Sequence, residues 1–189
     1  MKDIILVGYG GHAKSVADCI ERQGKYRIIG YTDFQKYESS YPYLGTDEVL
    51  EDYYDRGIRN IALCIGYLGK GKSRQKIYMN LKQIGFEFPP IIDPSAIISD
   101  SASLGEGTFV GKYAVVNAEA RIGKMVIVNT MALIEHECVV GDFSHVAVSA
   151  VLCGQVEVGE AAFIGANSTV IQCRKIVPRQ IIPAGITIR

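Results

Sequence analysis

Between Ile92 and Ile188 every sixth residue is Ile, Leu or Val, seventeen positions without a break. The position two before each of them is also selective: Ala96, Ala102, Thr108, Ala114, Ala120, Val126, Ala132, Cys138, Ser144, Ala150, Val156, Ala162, Ser168. Gly or Asn often follows the aliphatic, as at Gly105, Gly111, Asn117, Gly123, Asn129, Gly141, Gly159 and Gly165. Each hexad therefore reads as a short strand with one large and one small inward side chain. A tight corner follows, where Gly or Asn is expected to supply positive φ. A period of six fits neither the 3.6-residue helix nor an antiparallel meander with its hairpin turns. It fits a parallel β-helix, three hexads to each 18-residue coil, with the aliphatics stacked inside. After Val170 the pattern weakens, with Arg174, Gln180 and Ile186 at the small position. The last repeat ends at Ile188-Arg189, so this end is expected to be truncated or covered by a partner.

Residues 1–88 have another rhythm. Segments at Ile4–Val7, Arg27–Tyr31 and Ile61–Ile65 predict three strands. Helices are expected over 13–22, behind Thr46 as N-cap, and over 73–84. Alternation of strand and helix predicts a small parallel sheet with crossover helices. Pro89, Pro90 and Pro94 mark the join. The expected division is 1–88, a Rossmann-like α/β domain, and 89–189, the β-helix. Residues 34–45 carry no legible pattern.

Composition narrows the function classes. Twenty Lys+Arg balance twenty Asp+Glu, which argues against bulk attraction to nucleic acid or anionic lipid. No apolar run approaches the ~18 residues of a membrane span, and the N-terminus does not read as a signal peptide. Five cysteines without a CxxC pair argue against a disulfide framework or a metal site, and a reducing cytoplasm is the expected compartment.

Two regions carry candidate chemistry. Gly8-x-Gly10-x-x-Ala13 follows a strand and opens a helix, and Asp33 lies twenty residues further on. This is the pattern by which glycines and a helix N-terminus hold phosphates while an acid meets a ribose diol. A plain tight turn accounts for the glycines equally simply. His12, at the helix start, is a candidate donor to a pyrophosphate or a surface side chain. Lys70, Lys72, Arg74 and Lys76 are candidates for an anion, or a solvated helix start. In the repeat region His136 lies between Glu135 and Glu137, and His145 follows nine residues later. A carboxylate beside an imidazole orients the ring as a base, and an ordinary imidazole pKa of about 6.5 suits that task near neutrality. An exposed polar corner is the plain alternative. Cys138 takes a small inward position and is read as packing.

Gly8-Tyr9-Gly10-Gly11-His12, Asp33, Ile65-Gly66, the hexads and the segment Glu135–His145 together resemble the bacterial sugar O- and N-acetyltransferases of the hexapeptide-repeat family. The resemblance implies a left-handed β-helix and a homotrimer, with acetyl-CoA as co-substrate between neighbouring prisms. It also implies a UDP-sugar or sialic acid substrate, with N-acetylation of a UDP-4-amino sugar favoured. By the same resemblance His136 is the general base and Glu137 its orienting carboxylate. His145, Ala166 and Ala184 would contact the cofactor, and Gly10, Gly11, His12, Asp33 and Gly66 the nucleotide sugar. Pro183-Ala184-Gly185 stands where the family has a Gly-rich turn. Sialic acid O-acetylation, an NAD-dependent oxidoreductase built on the glycine motif and a non-catalytic nucleotide-sugar-binding trimer are the alternative readings.

Overall fold

The computed structural model describes residues 1–69 and 72–189. The N-terminal unit is a four-stranded parallel sheet with strand order β3-β2-β1-β4. Its elements are β1 (Lys2–Val7), α1 (Gly11–Gln23), β2 (Tyr26–Thr32), β3 (Tyr43–Gly45), α2 (Leu50–Asp55), β4 (Asn60–Leu63) and α3 (Ser73–Ile84). The three expected strands are present within a residue or two. The edge strand β3 is an addition from the segment that carried no pattern. It pairs with β2 through only Tyr31–Tyr43 and Thr32–Gly45, too short a contact to impose a period on the sequence. Thr46 opens a single 3₁₀ turn, Asp47–Val49, without a side-chain capping bond, and α2 follows directly.

From β5 (Ile91–Ile92) to β21 (Thr187–Ile188), seventeen two-residue strands build a parallel β-helix. Every strand pairs with the one 18 residues away, in three sheets of five, six and six strands. The inward aliphatics and the small residues between them form one continuous buried column, from Val110 through Cys138 and Ser144 to Ile182. The role assigned to the corner glycines needs correction. Gly105, Gly111, Gly123, Gly141, Gly159 and Gly165 do not have positive φ. The left-handed residue is two positions later and is mostly not glycine: Tyr113, Glu119, Met125, Met131, Glu137 and others of the same column. What the glycines provide is clearance between coils. A Cβ at Gly105 would lie 2.5 Å from the backbone of the next coil at Gly123 and Lys124, and one at Gly165 would lie 2.5 Å from the Ala184 nitrogen.

The outward residues give the three faces different characters. One presents Ile91, Phe109, Ile127, His145, Phe163 and Ile181. The N-terminal unit lies on this face and on the edge carrying Met125, Phe143 and Ala161. These join Ile4, Leu6, Ile20, Tyr67 and Tyr78 in a single hydrophobic cluster. The N-terminal sheet unit and the β-helix thus share a core. Tyr67 donates from its hydroxyl to the Ala161 carbonyl at 2.7 Å, and Gln75 to Glu160 at 2.8 Å. The second face presents Ile97, Val115, Leu133 and Val151, and the third Ser103, Arg121, Glu157 and Lys175. No helix of the described residues is long and apolar enough to cross a membrane.

Candidate active site

A cleft of about 810 Å³ opens at the carboxyl ends of β1, β2 and β4, where open parallel sheets place their ligands. Gly10, Gly11, His12, Asp33 and Gly66, the five residues expected at the nucleotide sugar, all line it. The Asp33 carboxylate accepts the Tyr9 amide at 2.7 Å and the Phe34 amide at 2.6 Å. The first of these bonds ties the exits of β1 and β2 together. Helix α1 starts at Gly11 behind Gly10, with neither a side-chain cap nor an acidic residue in its first turn. Its N–H groups and dipole are therefore available to an anion. Phe34 and Leu68, 96% and 75% exposed, stand at the rim and were not foreseen.

His12 is neither a surface residue nor a cation. Its ring meets the edge of Phe109 at 5.1 Å, and its Nε2 is buried without a partner. Burial, followed by the nearby charges of Arg74 and His145, pushes its pKa down to about 3. The neutral ring keeps one N–H for donation. Arg74, expected among solvated basic residues, is buried, and its guanidinium donates to the Met125 carbonyl at 3.0 Å. Burial pulls its pKa down to about 10. Lys72 and Lys76 are exposed, and Lys70 lies outside the described residues.

His145, the expected cofactor contact, lies under the loop that follows β4. Its Nδ1 donates to the Tyr67 carbonyl at 2.6 Å, and its Nε2 faces the Asn129 amide at 3.1 Å. Both nitrogens are thus used within the protomer, and only 7% of the residue is exposed. The physical reason is the docking of the loop after β4 onto this face. Burial lowers the His145 pKa to about 4, so the ring is a neutral peg between the two units.

His136 and Glu137 lie on the edge between the second and third faces, opposite the face that the N-terminal unit covers. The His136 side chain is 54% exposed, and its Nδ1 lies 3.0 Å from Glu137 Oε2. Glu137 adopts left-handed backbone, φ 58°, and its N–H donates to the Ala118 carbonyl. From the next coil Gln155 donates its amide to the same Glu137 oxygen at 3.1 Å. These donors, His136 first and Gln155 second, hold the Glu137 carboxyl below the usual carboxylate range. With Nδ1–H donating to a carboxylate, Nε2 retains its lone pair, the orientation a general base requires.

Gly154, one coil on from His136, lies against the far side of the ring. A Cβ there would lie 2.5 Å from both Cε1 and Nε2. Among the described residues the Gly154 N–H donates to no acceptor. Sequence reading missed Gly154 and Gln155, although their positions 18 residues beyond His136 and Glu137 place them one coil up. Ala166 and Ala184 are on another edge, one coil apart, and their N–H groups likewise have no acceptor among the described residues.

A paired imidazole and carboxylate on a β-helix edge, joined to a Rossmann-like cleft, define a class of protein. Comparison with known proteins supplies the family. Residues 3–81 match the PglD N-terminal domain family. PerB from Caulobacter crescentus, solved in complex with CoA and GDP-perosamine, is 31% identical. It superposes with a TM-score of 0.94 over 100% of this chain and 89% of that one. The acetyltransferase domain of PglB from Neisseria gonorrhoeae is 31% identical, with a TM-score of 0.93 over 100% and 92%. UDP-N-acetylbacillosamine N-acetyltransferase from Bacillus subtilis is 32% identical over 113 residues, which are 58% of this chain and 51% of that protein. This match spans about half the length of the curated relative. The chain belongs to the sugar N-acetyltransferases of the hexapeptide-repeat family.

Proposed function

We propose that this chain transfers the acetyl group of acetyl-CoA to an amino group on a nucleotide-linked sugar. The observation that carries the reading is the His136–Glu137 pair, exposed on the β-helix edge with Nε2 free. The neutral sugar amine attacks the thioester carbonyl, and His136 Nε2 takes the proton that the nitrogen sheds. The tetrahedral oxyanion is met by a corner N–H, for which Gly154 is the candidate nearest the ring. Collapse expels the CoA thiolate, which recovers the proton from His136. Glu137 stabilises the imidazolium in between. Such base catalysis contributes about 10²–10⁴-fold. This route requires no cysteine; Cys138 is buried and its thiol donates a hydrogen bond to the Cys153 carbonyl.

The nucleotide reading of the cleft rests on Asp33, the uncapped α1 N-terminus and Gly66. The cleft and His136 are on opposite sides of one prism, so a complete site needs a second copy of the chain. We take that assembly to be the homotrimer that the resemblance to the hexapeptide-repeat acetyltransferases implies. Its supports are the apolar second face and the exposed Ile97, Tyr113, Met131 and Val148 on that face and its edge. Acetyl-CoA would lie between prisms, with the Ala166 and Ala184 N–H groups as candidate contacts.

The test is release of CoA thiol from acetyl-CoA across a panel of nucleotide-linked amino sugars, with sialic acid as the hydroxyl acceptor. The expected result is thiol release with an amino sugar and a product heavier by one acetyl group. Thiol release with sialic acid alone would shift the reading to O-acetylation. Nucleotide-sugar binding without any thiol release would leave a non-catalytic binder.

A further inference from the structure

The cleft that would take the nucleotide has a charge distribution that does not suit its phosphates. Among its described lining residues are three carboxylates, Asp33, Asp47 and Glu48, and no Lys or Arg. A nucleoside diphosphate is itself an anion, so these carboxylates must face the parts of the ligand that donate hydrogen bonds. Asp33, at the exit of β2, is placed for the ribose hydroxyls. The diphosphate belongs over the α1 N-terminus, where His12, whose buried Nε2 has no partner, is among the lining residues. Asp47 and Glu48 are left for another donor.

Topology says which part of the ligand reaches them. They follow β3, the edge strand beyond β2. The prism approaches the cleft at His12, whose ring meets Phe109. With the diphosphate over the α1 N-terminus and the ribose at Asp33, the base lies further along the same line, beyond β2, at the end with Phe34, Asp47 and Glu48. Phe34 stands beside it as an exposed aromatic for stacking. The Asp47 carboxylate already accepts the Thr32 hydroxyl at 2.6 Å. Glu48 has no bonded partner among the described residues.

We propose that the base of this chain's nucleotide sugar is guanine, read by the Glu48 carboxylate. The inference rests on the nucleotide-sugar reading above. Guanine presents two adjacent donors, N1–H and the exocyclic amine, which a carboxylate accepts in a paired fork. Uracil offers a single N–H flanked by two carbonyl oxygens, which a carboxylate repels. A bidentate pairing discriminates against the wrong base by about tenfold or more.

The experiment is calorimetric titration of the full chain with GDP and with UDP, repeated on Glu48→Gln. GDP is expected to bind at least about tenfold more tightly than UDP, and Glu48→Gln to remove most of that preference. Equal or tighter binding of UDP overturns the inference, as does a GDP preference that survives Glu48→Gln. Thiol release with a UDP-linked amino sugar, accompanied by tighter UDP binding, would sink the guanine assignment and leave the acetyltransfer reading standing. Failure to bind either nucleotide would overturn both the assignment and the reading of the cleft.

Discussion

Gly154 leaves the space that the His136 ring occupies, since a β carbon at 154 would lie 2.5 Å from both Cε1 and Nε2. Its φ is not in the left-handed region, so alanine is conformationally acceptable there. The clash falls on the far end of a side chain that can swing away. Gly154→Ala should fold and assemble normally while losing about tenfold or more in kcat, because a displaced base loses its alignment. In a His136→Ala background the same change should add almost nothing. A loss of equal size in both backgrounds would show that Gly154 acts independently of the ring.

Glu137 and Gln155 form the support of the base. Glu137→Gln keeps an acceptor for Nδ1–H but removes the charge that stabilises the imidazolium. The loss in kcat should be smaller than that of His136→Ala, on the order of tenfold. Because the Glu137 carboxyl is held below its ordinary range, it is ionised throughout the neutral range and protonates only in acid. Activity in the wild type should therefore keep its Glu137 contribution from neutral pH down to the ordinary carboxylate range. A rate profile in which Glu137→Gln exceeds His136→Ala in damage would reverse the two roles.

His12 and His145 make stability depend on pH. Both have folded pKa values pushed down, to about 3 and about 4, by burial. In the unfolded chain they titrate near 6.5. Above that value both states are neutral and the full stability is present. As pH falls from about 6.5 toward 4, the unfolded state takes up protons that the folded state refuses. Stability should drop across that window by a few kcal/mol. Thermal melts at half-unit steps of pH check this, and a flat Tm between pH 7 and 4.5 would contradict the burial of both rings.

Asp33 should matter for binding more than for chemistry. Asp33→Asn preserves size but loses the charge that receives the Tyr9 and Phe34 amides and faces the cleft. KM for the nucleotide sugar should rise about tenfold with kcat little changed. An equal fall in kcat would place Asp33 in the reacting part of the site.

The β-helix was legible because its period is a property of single residues. Each of the seventeen aliphatic positions from Ile92 to Ile188 has its own strand. Helix α3 was bounded correctly at 73–84 because its apolar face repeats at helical spacing. Pairings across coils and between units were not legible. The corner glycines look like left-handed residues in the sequence, yet the stacking distance between coils, not φ, demands them. His145 shares its strand class with Phe163 and Ile181, outward residues of one face. An 18-residue register of that kind marks a covered face, and it would have placed the ring beneath the N-terminal unit. The burial of the His12 ring depends on Phe109, 97 residues away, and is not legible from its neighbours in the chain.

The most direct measurement is the initial rate of CoA thiol release by His136→Ala and His136→Asn beside the wild type, at saturating acetyl-CoA and nucleotide-linked amino sugar. The account predicts loss of about 10²–10⁴-fold in both variants, with assembly and nucleotide affinity unchanged. A rate within a few fold of wild type in either variant would take His136 out of the reaction.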